Sequence, residues 1–456
     1  MENIDNKNSD KMQVLLNKIT ELYIATIIII FPLCIDATGF FRILECKYRC
    51  FLWISVIYLA IIIIINLYYF IFYKINDIKN KMTKVQYALI IFLAINIVSC
   101  IISPYFDKYN LFVGVGRGEG LITISLYCLT FLAITLFGKF EKRMVLYFSI
   151  SSICLNLVCI LQYIGFNPLN MYQEGIGTHN VSFMGTIGNI DFISAIYCML
   201  LTVSFSAFVI LDEKKIYKIV HLLSIFMGFF IFVIINVMSG TVAFIATFIL
   251  LFPFIITNSK YLSRTLIAID MIILGMIINI IINPEYHYDI GKLGLYFQFN
   301  KTALALIIIF GIFMVLAYIL KNMKFTINHK SKIIKKMYLI MLSLVILTII
   351  GLYFIDFNHG MLHQVHQILH GNLDDTFGTY RMFLWKRTVC LLNEYTLLGT
   401  GPDTFAVRFM DKYTQDVANL RRTFNKWYGR KCIFNNAYQY RNYRTCELFD
   451  FYIFSN

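Results

Sequence analysis

Three stretches of this chain concentrate side chains able to bind a phosphorylated group or activate a hydroxyl. The first reads Phe112-Val-Gly-Val-Gly-Arg117-Gly-Glu119-Gly120 and runs directly into an apolar segment. A guanidinium such as that of Arg117 binds phosphate through paired charge-assisted hydrogen bonds. The competing reading pairs Arg117 with Glu119 as a simple anchor for the helix end. The second stretch is Gly185-Thr-Ile-Gly188-Asn189-Ile-Asp191-Phe192. Asp191 enters an apolar segment, where a charge is costly and usually functional. Asn189 also suits a helix cap, with Asp191 favoured by the helix dipole one position inside, and the two readings are compatible. The third stretch is Gly378-Thr-Tyr-Arg381-Met-Phe-Leu-Trp385, followed by Leu397-Leu-Gly-Thr-Gly-Pro402-Asp-Thr-Phe405. Four-residue spacing puts Arg381 and Trp385 on one helix face, one suited to phosphate and the other to stacking on a sugar ring. The Gly-Thr-Gly-Pro-Asp-Thr turn lacks the lysine of a nucleotide phosphate loop and does not precede a nucleotide fold, which argues against an ATP site.

His359, His363, His366 and His370 also fall on one helix face. Histidines four apart can chelate zinc, but no acidic or cysteine ligand is interleaved. Met361, Leu362, Val365, Ile368 and Leu369 make the segment read as an interfacial amphipathic helix instead. No metal is expected. The eleven cysteines show no metal-ligand spacing and read as small buried hydrophobes.

The elements that must position these groups are membrane spans. Of the 456 residues 59% are apolar and only 14% charged, against roughly 25% charged in soluble domains. Apolar stretches near the roughly 20-residue length of a membrane-crossing helix recur at 20–39, 51–73, 86–103, 120–138, 144–164, 184–210, 217–236, 240–257, 265–283, 302–320 and 337–355. The expected fold is therefore all-α: a polytopic integral membrane protein of about eleven transmembrane helices with a long extracytoplasmic C-terminal region. The first apolar stretch follows Lys7, Lys11 and Lys18 as a signal peptide would, but no small-residue cleavage site follows, and a retained span is preferred.

The net charge of +14 sits mainly in short gaps between spans, the pattern of positive-inside topology and not of nucleic-acid binding, for which no reader module is visible. Lys74–Lys84, Lys139–Arg143, Lys214–Lys218, Lys260–Arg264 and Lys321–Lys336 occupy alternate gaps, which share the cytoplasmic side. The gap 165–183 contains no Lys or Arg and lies outside. Arg42, Lys47 and Arg49 break the rule. The N-terminus is then cytoplasmic. The expected organisation is a cytoplasmic segment 1–19, a transmembrane domain 20–355, an extracytoplasmic loop 356–420 and an aberrant basic tail 421–456.

Taken together, Gly116-Arg117-Gly-Glu119-Gly120-Leu121, Gly185-Thr186-Ile-Gly188-Asn189 and Arg381…Trp385…Leu398-Gly399-Thr-Gly401-Pro402-Asp-Thr-Phe405 resemble the O-antigen ligase and polymerase superfamily of bacterial membrane glycan enzymes. They occur in that family's order over about residues 20–410. The resemblance implies about twelve spans in the cytoplasmic membrane and transfer of undecaprenyl-diphosphate-linked glycan on its outer face, to a glycan or lipid acceptor, with no nucleotide, metal or other cofactor. By that resemblance Arg117, Asn189, Arg381 and Trp385 bind substrate, while Glu119 or Asp403 orients or activates the acceptor hydroxyl. A transporter or flippase for lipid-linked glycan is the alternative from another class, and an inactive truncated family member is a third. Two departures stand out. Many relatives carry an Arg after the Ser that opens the eighth span, whereas Ser239 is followed here by Gly240-Thr241. The family's His-Asn-x-x-Leu motif and the final span or spans after it are also missing.

From Arg421 the composition turns basic and aromatic, with no helical stripe. With A/T-rich codons, reading one base later from Lys431 permits, among other codon choices, Asn-x-Tyr-Leu followed by Asn-x-Gly and an apolar run, the phrase the family places there. The expectation is a reading frame shifted near residue 420, and resequencing the gene decides it.

Overall fold

The structure of the protein is a computed structural model that describes residues 2–37, 39–40, 42–73, 82–115, 118–164, 166, 185–287, 292–297, 300–327, 332–355, 360–375, 377, 380–392 and 397–432. In chain order the elements are α1 (Glu2–Ala25), α2 (Ile43–Tyr73), α3 (Lys84–Ile101), α4 (Leu121–Phe137), α5 (Arg143–Tyr163), α6 (Ile190–Ile210), α7 (Lys215–Ile235), α8 (Met238–Ile255) and α9 (Ser259–Ile281). A hairpin of β1 (Ile282–His287) and β2 (Lys292–Phe297) follows, then α10 (Lys301–Asn322), α11 (Lys332–Phe354), α12 (Gly360–Leu369), α13 (Arg381–Leu392) and α14 (Phe405–Cys432). The body is all-α, as hydropathy predicts. The antiparallel hairpin, in register from Ile282↔Phe297 to His287↔Lys292, is an addition to it. Pro284 cannot continue a helix, which is consistent with the switch to strand there.

Among the described residues nine helices are long and apolar enough to cross a membrane, while Leu121–Phe137 and Gly240–Ile255 are apolar but shorter. The two short helices occupy the fourth and eighth expected segments, so length supports nine crossings where hydropathy counts eleven. The outer helices carry apolar side chains on an open surface: Leu339, Leu347 and Phe354 of α11 are all exposed, a surface suited to lipid and not to water. Expectation and structure differ at the tail. α14 remains helical through Cys432, well past Arg421, in keeping with the good helix propensity of its Arg and Lys residues. Residues 433–456 lie outside the described residues.

Local chemistry explains the helix boundaries. Thr83-Lys-Val-Gln86 forms a capping box at the start of α3, with Thr83 N–H donating to Gln86 Oε1 at 2.7 Å. Asn189, Asn258 and Asn300 cap α6, α9 and α10 by accepting backbone N–H groups on their side-chain oxygens. After α1 the chain loosens into a π turn at Thr26–Ile30 and a tight turn at Phe31–Leu33, around Pro32, which lacks the N–H a helix requires.

The chain divides into two compact units, Met1–Thr20 with Leu52–Gly138 and Gly371–Asn456, and Glu21–Phe51 with Lys139–His370. The second has a core from α5, α6, α7 and α9 in which Leu155, Tyr197, Phe205 and Ile225 are fully enclosed. A polar thread runs through it: Ser149 Oγ meets Ser204 Oγ at 2.7 Å and His221 Nδ1 at 2.7 Å, and His221 Nε2 meets Glu213 Oε2 at 3.1 Å. Side-chain hydrogen bonds of this kind hold membrane helices together where no hydrophobic force can. His221 is completely buried, so this Glu–His–Ser series offers no surface to a substrate.

The same unit gives local partners to two of the three cations that break the positive-inside pattern. Lys47 Nζ donates to the carbonyls of Phe31 and Pro32 at 2.9 and 2.7 Å, and Arg49 pairs with Asp36 at 2.7 Å. These charges are spent on local structure, on orphan carbonyls and a carboxylate. Cys34 and Cys50 form a disulfide across the same loop, so two cysteines depart from the expected role of buried hydrophobes.

Candidate functional site

The first unit brings together two of the stretches that are nearly 300 residues apart in sequence. The loop before α4 folds back on the helix start: Gly120, Leu121 and Ile122 donate their backbone N–H groups to the carbonyls of Val113, Leu111 and Phe112 at 3.0–3.1 Å. The helix's orphan donors are thereby satisfied by the glycine loop itself. Residues 398–404 dock on the end of α3, where Ser99 and Ser103 hydroxyls donate to the carbonyls of Leu398 and Thr400. Val407 packs against the cluster of Cys100, Tyr105, Leu111 and Leu121.

This docking sets Asp403 against the glycine loop. A Cβ at residue 114 would collide with Asp403 Oδ2, and would lie 2.9 Å from the backbone nitrogen of Gly120 and 3.1 Å from that of Glu119. The Asp403 carboxylate thus fills the space that the absence of a side chain at Gly114 leaves open. Asp403 itself has φ +58°, a left-handed conformation that Asp and Asn tolerate better than other residues with a side chain. Glu119 is in the same loop but exposed to solvent. Arg117 and Gly116 lie outside the described residues.

An open pocket of about 210 Å³ adjoins this turn, lined by Thr388, Leu391, Thr400, Asp403, Phe405 and Arg408, among others. Thr404 Oγ1 holds the turn by donating to Gly401 O at 2.7 Å, and Thr400 and Thr404 hydroxyls meet at 2.8 Å. Tyr105 Oη donates to Asp411 Oδ2 at 2.8 Å. Burial, and then this carboxylate, push the Tyr105 phenol above its ordinary value, with Arg408 acting in the opposite direction. Arg408 is the residue that sequence reading missed. Its signal was its place one turn into the helix that begins after Pro402-Asp403-Thr404, a helix that the sequence did not define.

Arg381 opens α13, preceded by Tyr380 at φ +66°. Trp385 follows one turn later and is 56% exposed. The two therefore stand on one helix as the spacing predicts, both at the surface. The neighbouring Arg387 serves structure instead. It binds Asp416 at 2.9 Å and Asp375 at 3.1 Å, and its guanidinium lies 3.6 Å from the centre of the Phe383 ring. Burial raises the Asp375 carboxyl, but hydrogen bonds from Arg387 and Lys386 outweigh it and hold the group below the usual range.

Asn189 belongs to the second unit. Its Oδ1 accepts the N–H groups of Asp191 at 2.7 Å and Phe192 at 3.3 Å. The motif around it is tied down by Gly185 N–H donating to Gln162 Oε1 at 2.5 Å and by Thr186 Oγ1 donating to Pro32 O at 2.6 Å. In the same unit Gly240 is pressed against Ser194 Oγ, and a Cβ there would come within 3.0 Å of the Phe232 ring. A side chain at this position would require Ser194 and Phe232 to shift. On α12 the rings of His366 and His370 stack 4.1 Å apart, and His370 stacks on Tyr353 at 4.3 Å. His359 lies outside the described residues, among which no group of three metal-ligating side chains occurs.

The repeated apolar helices and the exposed apolar surface define an all-α, multi-pass membrane protein. Residues 290–435 match the family model described as O-Antigen ligase. This match covers under a third of the 456 residues and agrees with the resemblance to the O-antigen ligase and polymerase superfamily that the motifs suggest. The matched segment contains Arg381, Trp385, Asp403 and Arg408, whereas Arg117, Glu119 and Asn189 precede it. Comparison with curated proteins and with solved structures gives no match.

Proposed function

We propose that the protein transfers or polymerises undecaprenyl-diphosphate-linked glycan units on the outer face of the cytoplasmic membrane, with Asp403 as the base. The observation that carries this reading is the Asp403 carboxylate, seated against the glycine loop and lining a pocket with Arg408. In the proposed reaction the acceptor hydroxyl gives its proton to Asp403 as its oxygen attacks the anomeric carbon of the donor sugar. The bond from that carbon to the diphosphate breaks, and undecaprenyl diphosphate leaves with the electron pair. Arg117 and Arg381 bind the diphosphate, Trp385 stacks on a sugar, and Glu119 orients the acceptor. Asn189 is retained as a substrate-binding residue on the resemblance of its motif alone. The Cys34–Cys50 disulfide supports the orientation with this loop outside and the N-terminus in the cytoplasm, because disulfides persist in oxidising compartments.

The test is deletion of the gene and its restoration with Arg381→Ala or Arg117→Ala. Loss of a charge-assisted contact to the leaving group is expected to slow transfer by roughly 10²–10³-fold. Single unpolymerised or untransferred units should then accumulate on the lipid. Normal glycans in the deletion strain would remove the enzyme reading.

One observation favours the second reading, a transporter of lipid-linked glycan. Asp270 in α9 is fully buried, and neither carboxylate oxygen has a hydrogen-bond partner among the described residues. Ionisable groups within spans commonly mark transport paths. On the enzyme reading Asp270→Asn leaves glycan length unchanged and the protein at least as heat-stable, since a poorly satisfied buried charge is removed. Loss of surface glycan with a folded Asp270→Asn protein would favour transport.

A further inference from the structure

The second unit contains a larger opening, of about 700 Å³, that the transfer reaction does not use. It lies where four spans end together: α6 finishes and α7 begins beside it, α9 begins there, and α10 finishes there. Its lining includes five cations, Lys218, Lys260, Arg264, Lys321 and Lys324. Two carboxylates face this group: Asp212 binds Arg264 at 2.6 Å and Lys260 at 2.7 Å, with Lys218 at 3.9 Å, and Glu213, itself bonded to His221, also attracts Lys218. Lys260 and Arg264 hold the Asp212 carboxyl down to about 2. Its single charge is therefore present throughout the physiological range and already committed. Lys321 and Lys324 make no ion pair among the described residues, and both are exposed.

The rim is fixed. Ser259 Oγ donates to Met323 O and Ser263 Oγ to Ala317 O, each at 2.7 Å, and Ile327 N–H donates to Thr257 O at 2.7 Å. Arg264 is anchored as well, donating to the carbonyls of Val209 and Leu211 at 3.1 Å. Phe208, Ile267 and Phe325 supply an apolar wall beside the cations. A cationic mouth with an apolar wall at the level where spans end matches a phosphate headgroup whose acyl chains run along the helices. A soluble phosphate would leave that wall without a partner.

We propose that this opening is a binding site for the phosphodiester headgroup of an anionic membrane lipid, held by Lys321, Lys324 and Lys260 around the anchored Arg264. The site is independent of the transfer reaction, and its test reads lipid and not glycan. The full-length protein is reconstituted in phosphatidylcholine nanodiscs doped with phosphatidylglycerol, and the lipid retained on release into detergent is counted by native mass spectrometry. Wild type is expected to retain phosphatidylglycerol over phosphatidylcholine. K321Q/K324Q should lower that retention at least roughly tenfold, since each lysine near an anionic surface contributes substantially to attraction. K332Q/K336Q, which removes the same charge from exposed positions at the start of α11 outside the opening, should leave retention unchanged. Equal loss in both double variants would reduce the effect to general surface charge and overturn the site. Unchanged retention in K321Q/K324Q would overturn it directly. Displacement of the lipid by millimolar inorganic pyrophosphate that binds as well without lipid would assign the opening to a soluble phosphate and also overturn it.

Discussion

Asp403→Asn is expected to lower glycan transfer by about 10²–10⁴-fold, the range that a positioned general base supplies. The substitution isolates charge from shape. Asn has the same outline and tolerates the left-handed φ of +58° at this position. The turn of residues 398–404 and its hydroxyl contacts to Ser99 and Ser103 should survive. Ala would add backbone strain of about 1 kcal/mol or more and blur the result. The measurement is the initial rate of product formation in membranes carrying equal amounts of protein. Glu119→Gln serves beside it. Because Glu119 is exposed and Asp403 lies against the glycine loop, the Glu119 variant is expected to lose less. The reverse order would move the base to Glu119.

Gly120→Ala is expected to abolish transfer nearly as completely, by a different physical route. A Cβ at residue 120 would meet the backbone of Val113 and Gly114 and would lie 2.6 Å from Phe112 O. Every one of these is a main-chain atom, so no side chain can swing away. The loop that caps α4 must open, which frees the N–H groups of residues 120–122 from their carbonyl partners. Overpacking of this kind typically costs about 1–3 kcal/mol. The surface facing Asp403 is lost with the loop. The protein should still insert in the membrane, because the spans do not depend on this contact. Activity and membrane abundance, measured together, separate the two effects. An active Gly120→Ala protein would mean that the 112–120 loop has no part in the site.

Much of the fold could be read from hydropathy, because a bilayer admits only backbones that satisfy their own hydrogen bonds. A helix lies in each of the eleven expected segments, though nine helices among the described residues are long and apolar enough to cross a membrane. Capping chemistry was legible too, in Thr83-Lys-Val-Gln86 and in Asn189 ahead of Asp191. What remained hidden depends on contacts across long sequence separations. No local pattern tells that residue 403 fills the space left open at Gly114, or that Arg408 shares its pocket. The hairpin at 282–297 was likewise invisible to a search for apolar runs. The disulfide between Cys34 and Cys50 required the turn at Pro32, which brings the two close. Charge counting also could not show that Lys47 and Arg49 have carbonyl and carboxylate partners within their own loop. An apolar stripe is not visible in the sequence after Arg421, yet basic residues are compatible with a helix, and α14 continues to Cys432.

The central claim is transfer of a lipid-linked glycan with Asp403 as base, and reconstitution tests it most directly. The purified protein is placed in liposomes with an undecaprenyl-diphosphate-linked glycan and a glycan or lipid acceptor. Mass spectrometry then follows both products. The account predicts a glycan joined to the acceptor together with an equal amount of free undecaprenyl diphosphate, each lost in Asp403→Asn. Liposomes in which the donor merely changes leaflet, with no diphosphate released, would contradict it.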